Sequence, residues 1–268
     1  MRLHLFEWED QHWLPAFFRN YITDHLRYGL SQKMMDPVNQ AIAGKIKPLV
    51  DRAGSNRIVD LCSGGGGPLL NVRRVLAEEM KTPVEVVLTD LFPNTETFQK
   101  SEAEGGGVVK ARYESISAFD VPSDLHGVRT MFTALHHFRP KEVQRLLADA
   151  AHKSQPIAAF EPFERTLHSF VLMAMRTLFN AIVLTPVVGP LTLQRFVLTY
   201  LIPLAPLVML WDGLVSVLRA YTPGELQALA NEIGAGSYTW EARRCDLPGP
   251  MGVKLPMVYL VGCPNVAA

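Results

Sequence analysis

Short apolar runs alternate with polar, helix-like stretches from about residue 57 to residue 161 of this 268-residue chain. Runs rich in Val, Ile and Leu are typical of strands in a parallel sheet, and the stretches between them are typical of covering helices. The pattern therefore predicts an α/β fold with a doubly wound, mostly parallel sheet. Five strands are predicted at Arg57 to Leu61, Val84 to Thr89, Val108 to Ala111, Val128 to Thr133 and Pro156 to Phe160.

The C-terminal part of the chain adds one helix and two strands to this pattern. Thr222-Pro-Gly-Glu225 has the form of a capping box and predicts a helix through Asn231. Tyr238 to Arg243 and Met257 to Gly262 read as strands that extend the sheet to seven. We predict four segments: a helical cap at 1–36, a core at 37–162, an apolar helical insertion at 163–221, and the rest of the core sheet at 222–268.

A glycine-rich loop follows the first strand and precedes a helix predicted from Pro68 to Met80. The loop, Cys62-Ser-Gly-Gly-Gly-Gly67, lets a ligand approach bare backbone, and the helix N-terminus favours a carboxylate or a phosphate. The phosphate-binding pattern GxxxxGK[ST] is absent, and the dinucleotide pattern GxGxxG meets Leu69 where its third glycine belongs. The second strand ends in Asp90, where an acid can accept both hydroxyls of a ribose.

Together these segments resemble the class I S-adenosylmethionine-dependent methyltransferases, whose sheet is Rossmann-like. The resemblance covers roughly residues 40–162 and 221–264. The segments that carry it are Asp60-Leu-Cys-Ser-Gly-Gly-Gly66, Thr89-Asp90-Leu91-Phe92, Arg112-Tyr-Glu-Ser115, Phe132-Thr-Ala-Leu-His-His-Phe138, Pro156-Ile-Ala-Ala-Phe-Glu-Pro162 and Tyr221-Thr-Pro-Gly-Glu-Leu226.

The resemblance implies a binding site for S-adenosylmethionine at these positions. Asp60 and the loop would surround its methionine part, Asp90 would hold its ribose, and Thr133 would face it from the other side. Tyr28, which precedes the core, is a candidate to close over the methionine part. The remaining implied contacts are Cys62, Ser63, Gly64, Gly65 and Gly66 in the loop, and Leu91, Glu114 and Ser115 around the adenine.

Cys62 departs from the family pattern, in which many members have glycine. A thiol at a helix N-terminus can be reactive, but no histidine or other base adjoins Cys62 in the sequence. We therefore interpret Cys62 as a packing residue.

Candidate catalytic residues follow the fourth and fifth strands. His136 or His137 could take a proton from an acceptor, although histidine at this point of the family often has a structural task. Glu161 and Glu164 lie where ligands bind in such sheets, and Glu161 before Pro162 also suits a turn. Direct in-line methyl transfer depends mainly on alignment, so a dedicated base is not required.

The segment from Glu164 to Tyr221 is long and apolar, with uncharged runs of 18 and 16 residues between Arg176, Arg195 and Asp212. Each run is near the lower limit for a membrane span, but the prolines within them argue against simple transmembrane helices. We expect a helical lid that packs on the sheet or contacts a bilayer surface. Together with the aromatic N-terminus, this lid would line an apolar pocket for a lipid, a terpenoid or an aromatic polyketide. The prolines are Pro186, Pro190, Pro203 and Pro206, and the N-terminal aromatics are Phe6, Trp8, Trp13, Phe17, Phe18 and Tyr21.

Composition and charge limit the partners and the cellular compartment that we expect for this protein. The 26 acidic and 26 basic residues balance, which disfavours a nucleic-acid partner. The three cysteines lie far apart, so we predict no metal site and a reducing cytoplasm, and the acidic N-terminus does not read as a signal peptide. The oligomeric state is left open.

The preferred hypothesis is methyl transfer from S-adenosylmethionine to a hydrophobic small molecule or lipid. One alternative keeps the fold and the cofactor but transfers another group or performs a non-methylating reaction. The other alternative is a non-catalytic module that uses the apolar insertion to bind a partner or a lipid.

Overall fold

The computed structural model describes residues 1–64, 66–233, 236–248 and 254–265. The chain divides into two compact units. Residues 33–162 and 222–268 form one unit, here called the sheet unit. Residues 1–32 and 163–221 form the other, here called the helical unit.

The sheet unit contains a seven-stranded sheet in the order β3-β2-β1-β4-β5-β7-β6. Strands β1 to β5 are parallel, whereas β7 is antiparallel to both β5 and β6. The predicted seven-stranded, mostly parallel α/β sheet is thereby confirmed. The strands are β1 (Arg57–Asp60), β2 (Glu85–Leu88), β3 (Val109–Ala111), β4 (Val128–Phe132), β5 (Ile157–Glu161), β6 (Tyr238–Pro248) and β7 (Lys254–Pro264).

The last two strands are longer than the sequence pattern predicts. They pair along their whole length, from Tyr238 opposite Pro264 to Pro248 opposite Lys254. Strand β6 has one neighbour only, so part of it faces solvent and carries charged side chains such as Arg243 and Arg244. Because these charges interrupt the apolar run, the sequence pattern predicted an end at Arg243, whereas β6 continues to Pro248.

Helices pack on the sheet through apolar stripes. In α5, for example, Val143, Leu146, Leu147 and Ala150 recur at helical spacing and are buried. The predicted capping box is confirmed at Thr222 and Glu225, each of which binds the backbone N–H of the other. The helices are α2 (Asp36–Ala53), α3 (Leu69–Met80), α4 (Thr95–Gly105), α5 (Pro140–His152) and α10 (Pro223–Asn231), with a 3-10 turn at Leu135–His137.

The helical unit consists of α1 (Ala16–Ser31) and helices from the apolar insertion. The insertion contains α6 (Leu167–Phe179), α7 (Thr185–Val188), α8 (Leu193–Phe196) and α9 (Leu204–Arg219), with π-helical segments at Asn180–Leu184 and Val197–Leu201. The N-terminal cap is helical only from Ala16, because Pro15 starts α1 as its N-cap.

The expectation that Pro186 interrupts the first apolar run was wrong. Residues Leu167–Val188 form one continuous helix, and Pro186 lies in the first turn of α7, directly after the π-helical segment. Pro186 cannot donate a backbone hydrogen bond to the preceding turn, and it is at this point of the helix that the π-helical segment Asn180–Leu184 interrupts the regular α-helical bonding. By length and composition, this is the one described helix that could cross a membrane.

The second apolar run is broken, as its prolines predicted. Leu193–Leu201 and Leu204–Arg219 are bent by 68° at a break that contains Pro203. Read together as one span, this bent pair would be a second candidate among the described residues.

A buried ion pair links β4 to α5 beneath the sheet. Arg129 is 1% exposed, and its Nη1 lies 2.7 Å from Oδ2 of Asp149. Lys153 contacts the other oxygen of the same carboxylate at 2.5 Å. Asp149 therefore compensates the charge of a guanidinium that is removed from water.

We expect Asp149→Asn to destabilise the protein by about 3 kcal/mol, because it leaves the buried Arg129 without its counter-charge. Urea unfolding followed by circular dichroism measures this change. Asp51→Asn is the matched control, since the Asp51 side chain is 52% exposed in its pair with Lys47 and its loss costs at most about 0.5 kcal/mol. Equal effects of the two substitutions on the free energy of unfolding would contradict the role of Asp149 as the counter-charge of Arg129.

Candidate functional site

The carboxyl ends of β1 and β2 are joined by a hydrogen-bonded junction around Asp60. Its carbonyl oxygen accepts bonds from the backbone N–H of Thr89 (2.9 Å), from Thr89 Oγ1 (2.7 Å) and from Ser63 Oγ (3.0 Å). Ser63 also exchanges bonds with Thr89, since its N–H donates to the Thr89 carbonyl at 3.0 Å and its hydroxyl accepts the Thr89 N–H at 3.1 Å. The start of the glycine loop is thereby fixed to the end of β2.

The Asp60 side chain is buried and points to the neighbouring strand β4. Its Oδ1 accepts a hydrogen bond from Thr130 Oγ1 at 2.7 Å, and the residue is 2% exposed. Burial raises the pKa of the Asp60 carboxyl to about 7, against the lowering effect of bonds from Thr130 and Ser63. This geometry gives Asp60 a role in ordering the loop, and its implied contact with the methionine part stays a prediction.

The loop itself has a left-handed backbone at several positions. Gly64 and Gly66 have φ values of 50° and 81°, which glycine adopts without strain. A Cβ at Gly66 would lie 3.1 Å from Ser101 Oγ, so a side chain would crowd α4 there. Gly65 lies outside the described residues.

Cys62 has φ 55°, in the same left-handed region. Such a conformation costs a non-glycine residue about 1 kcal/mol or more, which gives a physical reason why glycine suits this position. Burial, with smaller contributions from Asp90 and Asp60, raises the pKa of the half-buried Cys62 thiol. The thiol is therefore protonated at neutral pH and is a poor nucleophile, in agreement with its interpretation as a packing residue.

Asp90 follows β2 and faces the glycine loop. One carboxylate oxygen accepts the Gly64 N–H at 2.9 Å, and the other accepts the Phe92 N–H at 2.8 Å. The carboxylate is thus held in one orientation by two backbone donors. Each oxygen keeps a second lone pair, so the group can still accept bonds from a ligand.

The residues implied around the adenine are only partly together. Ser115 Oγ donates to the Leu91 carbonyl oxygen at 2.6 Å, so these two residues are adjacent. Glu114 is instead paired with Arg112 at 2.8 Å, with its side chain 58% exposed. Phe92, which is 67% exposed beside Leu91, offers an apolar ring that is absent from the contacts predicted around the adenine. Its place inside the quoted segment Thr89 to Phe92 was the available signal.

Thr133 directly follows β4 and has φ 52°. Its N–H donates to the Phe160 carbonyl oxygen at 2.9 Å, which continues the pairing with β5 beyond the strand. A β-branched residue in the left-handed region is a strained outlier of the kind that clusters at functional sites. Its contact with a donor stays a prediction.

His136 and Glu161 form a buried pair at the ends of β4 and β5. The two oxygens of Glu161 lie 2.9 Å from His136 Nδ1 and 3.2 Å from the His136 backbone N–H. Burial and these two contacts hold the His136 ring in one orientation beside the Glu161 carboxyl group. The His137 ring lies beside the His136 ring, with centroids 4.2 Å apart and the ring planes tilted by 37°. The structure thus brings together all three proposed catalytic residues.

Two predicted site residues belong to the helical unit. Tyr28 lies on α1, and Glu164 precedes α6. Their predicted roles toward the donor and the acceptor stay predictions.

Comparison with known proteins gives a likeness of fold. The fold is similar to that of the pyocyanin biosynthetic protein PhzM, with 14% identity, 84% of this chain and 54% of that chain covered, and a TM-score of 0.46. It is also similar to that of the mitomycin 7-O-methyltransferase MmcR, with 15% identity, 83% of this chain and 53% of that chain covered, and a TM-score of 0.46. A third similar structure is that of an O-methyltransferase family protein from Burkholderia thailandensis, with 14% identity, 86% of this chain and 59% of that chain covered, and a TM-score of 0.44. The chain spans about half the length of the first two.

No protein-family model matches the chain, and no curated protein matches it. At these identities and scores, the solved structures do not assign an activity to this chain.

We expect the stability of the protein to fall relative to that of Asp60→Asn as pH rises from about 4 to about 7. In this window the folded state binds the Asp60 proton more tightly than the unfolded state does, so unfolding releases a proton and becomes easier at higher pH. The difference should change by about 1.4 kcal/mol per pH unit at most. Urea unfolding of both proteins across this range measures it, and parallel pH profiles would contradict the raised pKa.

Proposed function

We propose that this chain is a class I S-adenosylmethionine-dependent methyltransferase. The observation that carries the proposal is the oriented Asp90 carboxylate at the end of β2, which faces the glycine loop through the Gly64 N–H at 2.9 Å. A strand, a glycine loop and a helix followed by an acid at the end of the next strand form the arrangement that binds the ribose of a nucleoside in such sheets. The ordered family-like segments of the sequence support the same proposal.

The described residues fit a nucleoside-containing cofactor. Asp90 has free lone pairs for ribose hydroxyls, and the exposed Leu91 and Phe92 offer apolar surface for a flat base. A Cβ at Gly64 would meet no atom within 4 Å, so the space beside the loop backbone is open. Gly64 and Gly66 would border the methionine part.

The cofactor, when bound, supplies an electrophilic methyl group on a sulfonium. What the chain must add is alignment of the acceptor, exclusion of water and removal of a proton where the acceptor carries one. The buried pair of His136 and Glu161 suits the last task. Glu161 orients the ring and would stabilise an imidazolium at His136.

The proposed acceptor is a hydrophobic small molecule or a lipid. Support comes from the apolar insertion at 163–221, in which large apolar side chains such as Leu167 and Val187 are exposed. That the insertion acts as a lid over the acceptor, and that the protein works in the cytoplasm, stay predictions.

We expect Asp90→Ala to weaken S-adenosylmethionine binding by about tenfold to a hundredfold, because ribose hydroxyls lose a charged acceptor. Isothermal titration calorimetry with S-adenosylmethionine measures the change. Glu85→Ala is the matched control, since Glu85 starts the same strand at the opposite edge of the sheet and should leave binding unchanged.

Two outcomes would count against the proposal at different levels. Failure of the natural protein to bind S-adenosylmethionine would overturn the cofactor assignment. Tight binding without transfer of labelled methyl to any member of a broad panel of apolar acceptors would favour a non-catalytic module.

We expect Glu161→Gln to reduce the maximal rate of methyl transfer about a hundredfold, because His136 loses the carboxylate that orients its ring and would stabilise an imidazolium. The rate is measured with the acceptor that the labelled-methyl panel identifies. S-adenosylmethionine binding shows whether the variant is folded, and an unchanged rate in a folded variant would contradict the role of the pair.

A further inference from the structure

Exposed apolar side chains concentrate in the helical unit. Among the described residues, all but three of the exposed large hydrophobic side chains lie in this unit, the exceptions being Leu91, Phe92 and Tyr113. Several on one side of the long helix Leu167–Val188 are between 37% and 59% exposed. These residues, here called the apolar face, are Val171, Met175, Leu178, Phe179, Ile182 and Val183.

The opposite side of the same helix buries small and polar residues. Ser169, Thr177, Ala181 and Thr185 recur at intervals of four or eight residues and are each at most 4% exposed, with Met173 as the large apolar member of the row. The usual rule for a helix of a water-soluble protein places the apolar stripe inside and the polar stripe outside. This helix instead leaves most of its large apolar side chains exposed, which is favourable where the apolar face contacts lipid or another apolar surface.

Polar contacts, rather than apolar packing alone, hold the interior of the unit together. Tyr21 Oη lies 2.8 Å from the Ala181 carbonyl oxygen and 2.7 Å from Thr185 Oγ1. Asp212 of α9 is 4% exposed and accepts the backbone N–H groups of Trp8 at 2.7 Å and Glu9 at 3.1 Å. These groups are satisfied inside the unit, as a protein needs where water is absent, whereas the buried Ser169 Oγ and Thr199 Oγ1 have no hydrogen-bond partner among the described residues.

Helices α6 and α9 approach closely through small residues. A Cβ at Gly213 would lie 3.2 Å from Thr177 Oγ1 and 3.3 Å from Met173 Cγ, so only glycine fits without displacement. Contacts of this kind, with glycine and threonine in the interface, are typical of helix pairs in lipid.

Aromatic residues mark one region of the unit. An apolar recess of about 420 Å³ is lined by Phe6, Trp8, Leu207 and Trp211 among others. The Trp211 indole N–H donates to the Phe6 carbonyl oxygen at 2.9 Å, so its polar group is satisfied. Tryptophan side chains that combine an apolar body with a bound N–H are typical of the membrane–water interface.

The charge pattern fits the surface of a bilayer better than its centre. No acidic residue occurs between Glu164 and Asp212. The helix Leu167–Val188 has 22 residues and so is about 33 Å long, but the exposed Arg176 lies near its middle. In a spanning helix Arg176 would lie at the bilayer centre, at a cost of several kcal/mol. In a helix that lies along the surface, it reaches the headgroups.

We propose that the helical unit inserts into one leaflet of a lipid bilayer through the apolar face, with its helices along the membrane surface. The occupant of the face is the acyl region of phospholipids. The proposal is independent of methyl transfer, because it rests on residues of the helical unit alone.

Flotation of the full chain with preformed phosphatidylcholine vesicles tests it. We expect the protein to float with neutral vesicles and to stay bound in 1 M salt, because apolar insertion is not screened by ions. The double variant Phe179→Glu with Ile182→Glu should lower the partition coefficient at least about tenfold, since two apolar contacts with lipid are lost and two charges are added.

The matched control adds two acidic charges to the sheet unit. Gln99→Glu with Ala103→Glu changes two exposed residues of α4 and should float as the natural protein does. Thermal unfolding and S-adenosylmethionine binding of each variant show whether it is folded, so that loss of structure is distinguished from loss of lipid binding.

Three results would overturn the proposal. The first is a protein that does not float with any vesicle and instead forms a stable dimer that shields the apolar face. The second is binding only to anionic vesicles at low salt, unaffected by the double variant. The third is a protein that cannot exchange between two vesicle populations and leaves a protease-protected spanning fragment, since surface insertion is reversible.

Discussion

Three hydrogen bonds converge on the carbonyl oxygen of Asp60, and the carboxyl edge of the sheet depends on them. Two come from Thr89 and one from Ser63, so the end of β1, the first turn of the loop and the end of β2 are fixed together. Asp90 directly follows Thr89, so the hydrogen bonds of this junction also restrict the position of the Asp90 backbone. Because the junction is buried, none of these groups can exchange its partner for water without a penalty.

Much of the sheet unit follows from local sequence signals. The strands alternate with helices because parallel strands need crossover connections, and the strands are recognisable because burial on both faces makes them apolar runs. Asp90 was also accessible to inference, since its distance from the glycine loop is set by one helix and one strand. The pairing of His136 with Glu161 was not accessible, because it depends on the adjacency of β4 and β5 rather than on spacing.

The helical unit shows where sequence inference reaches its limit. Pro186 was expected to break a helix, but the preceding π-helical segment lets the chain continue through it. An apolar run of this kind is compatible with a buried core helix, a lid or a membrane helix, and composition alone does not distinguish them. The pattern of burial adds which side of the helix the protein itself covers, and only 22% of the apolar window of this helix is buried.

The left-handed conformation of Cys62 shows that the backbone conformation of a loop position and the presence of glycine at that position are separate properties. What the loop requires at this position is a backbone with φ near +55°, and glycine is only the residue that adopts it at the lowest cost. Asparagine and aspartate also adopt this conformation with little difficulty, whereas valine or isoleucine would not. A sequence pattern that demands glycine after the first strand is therefore narrower than the geometry, and proteins that share this loop can be missed by it.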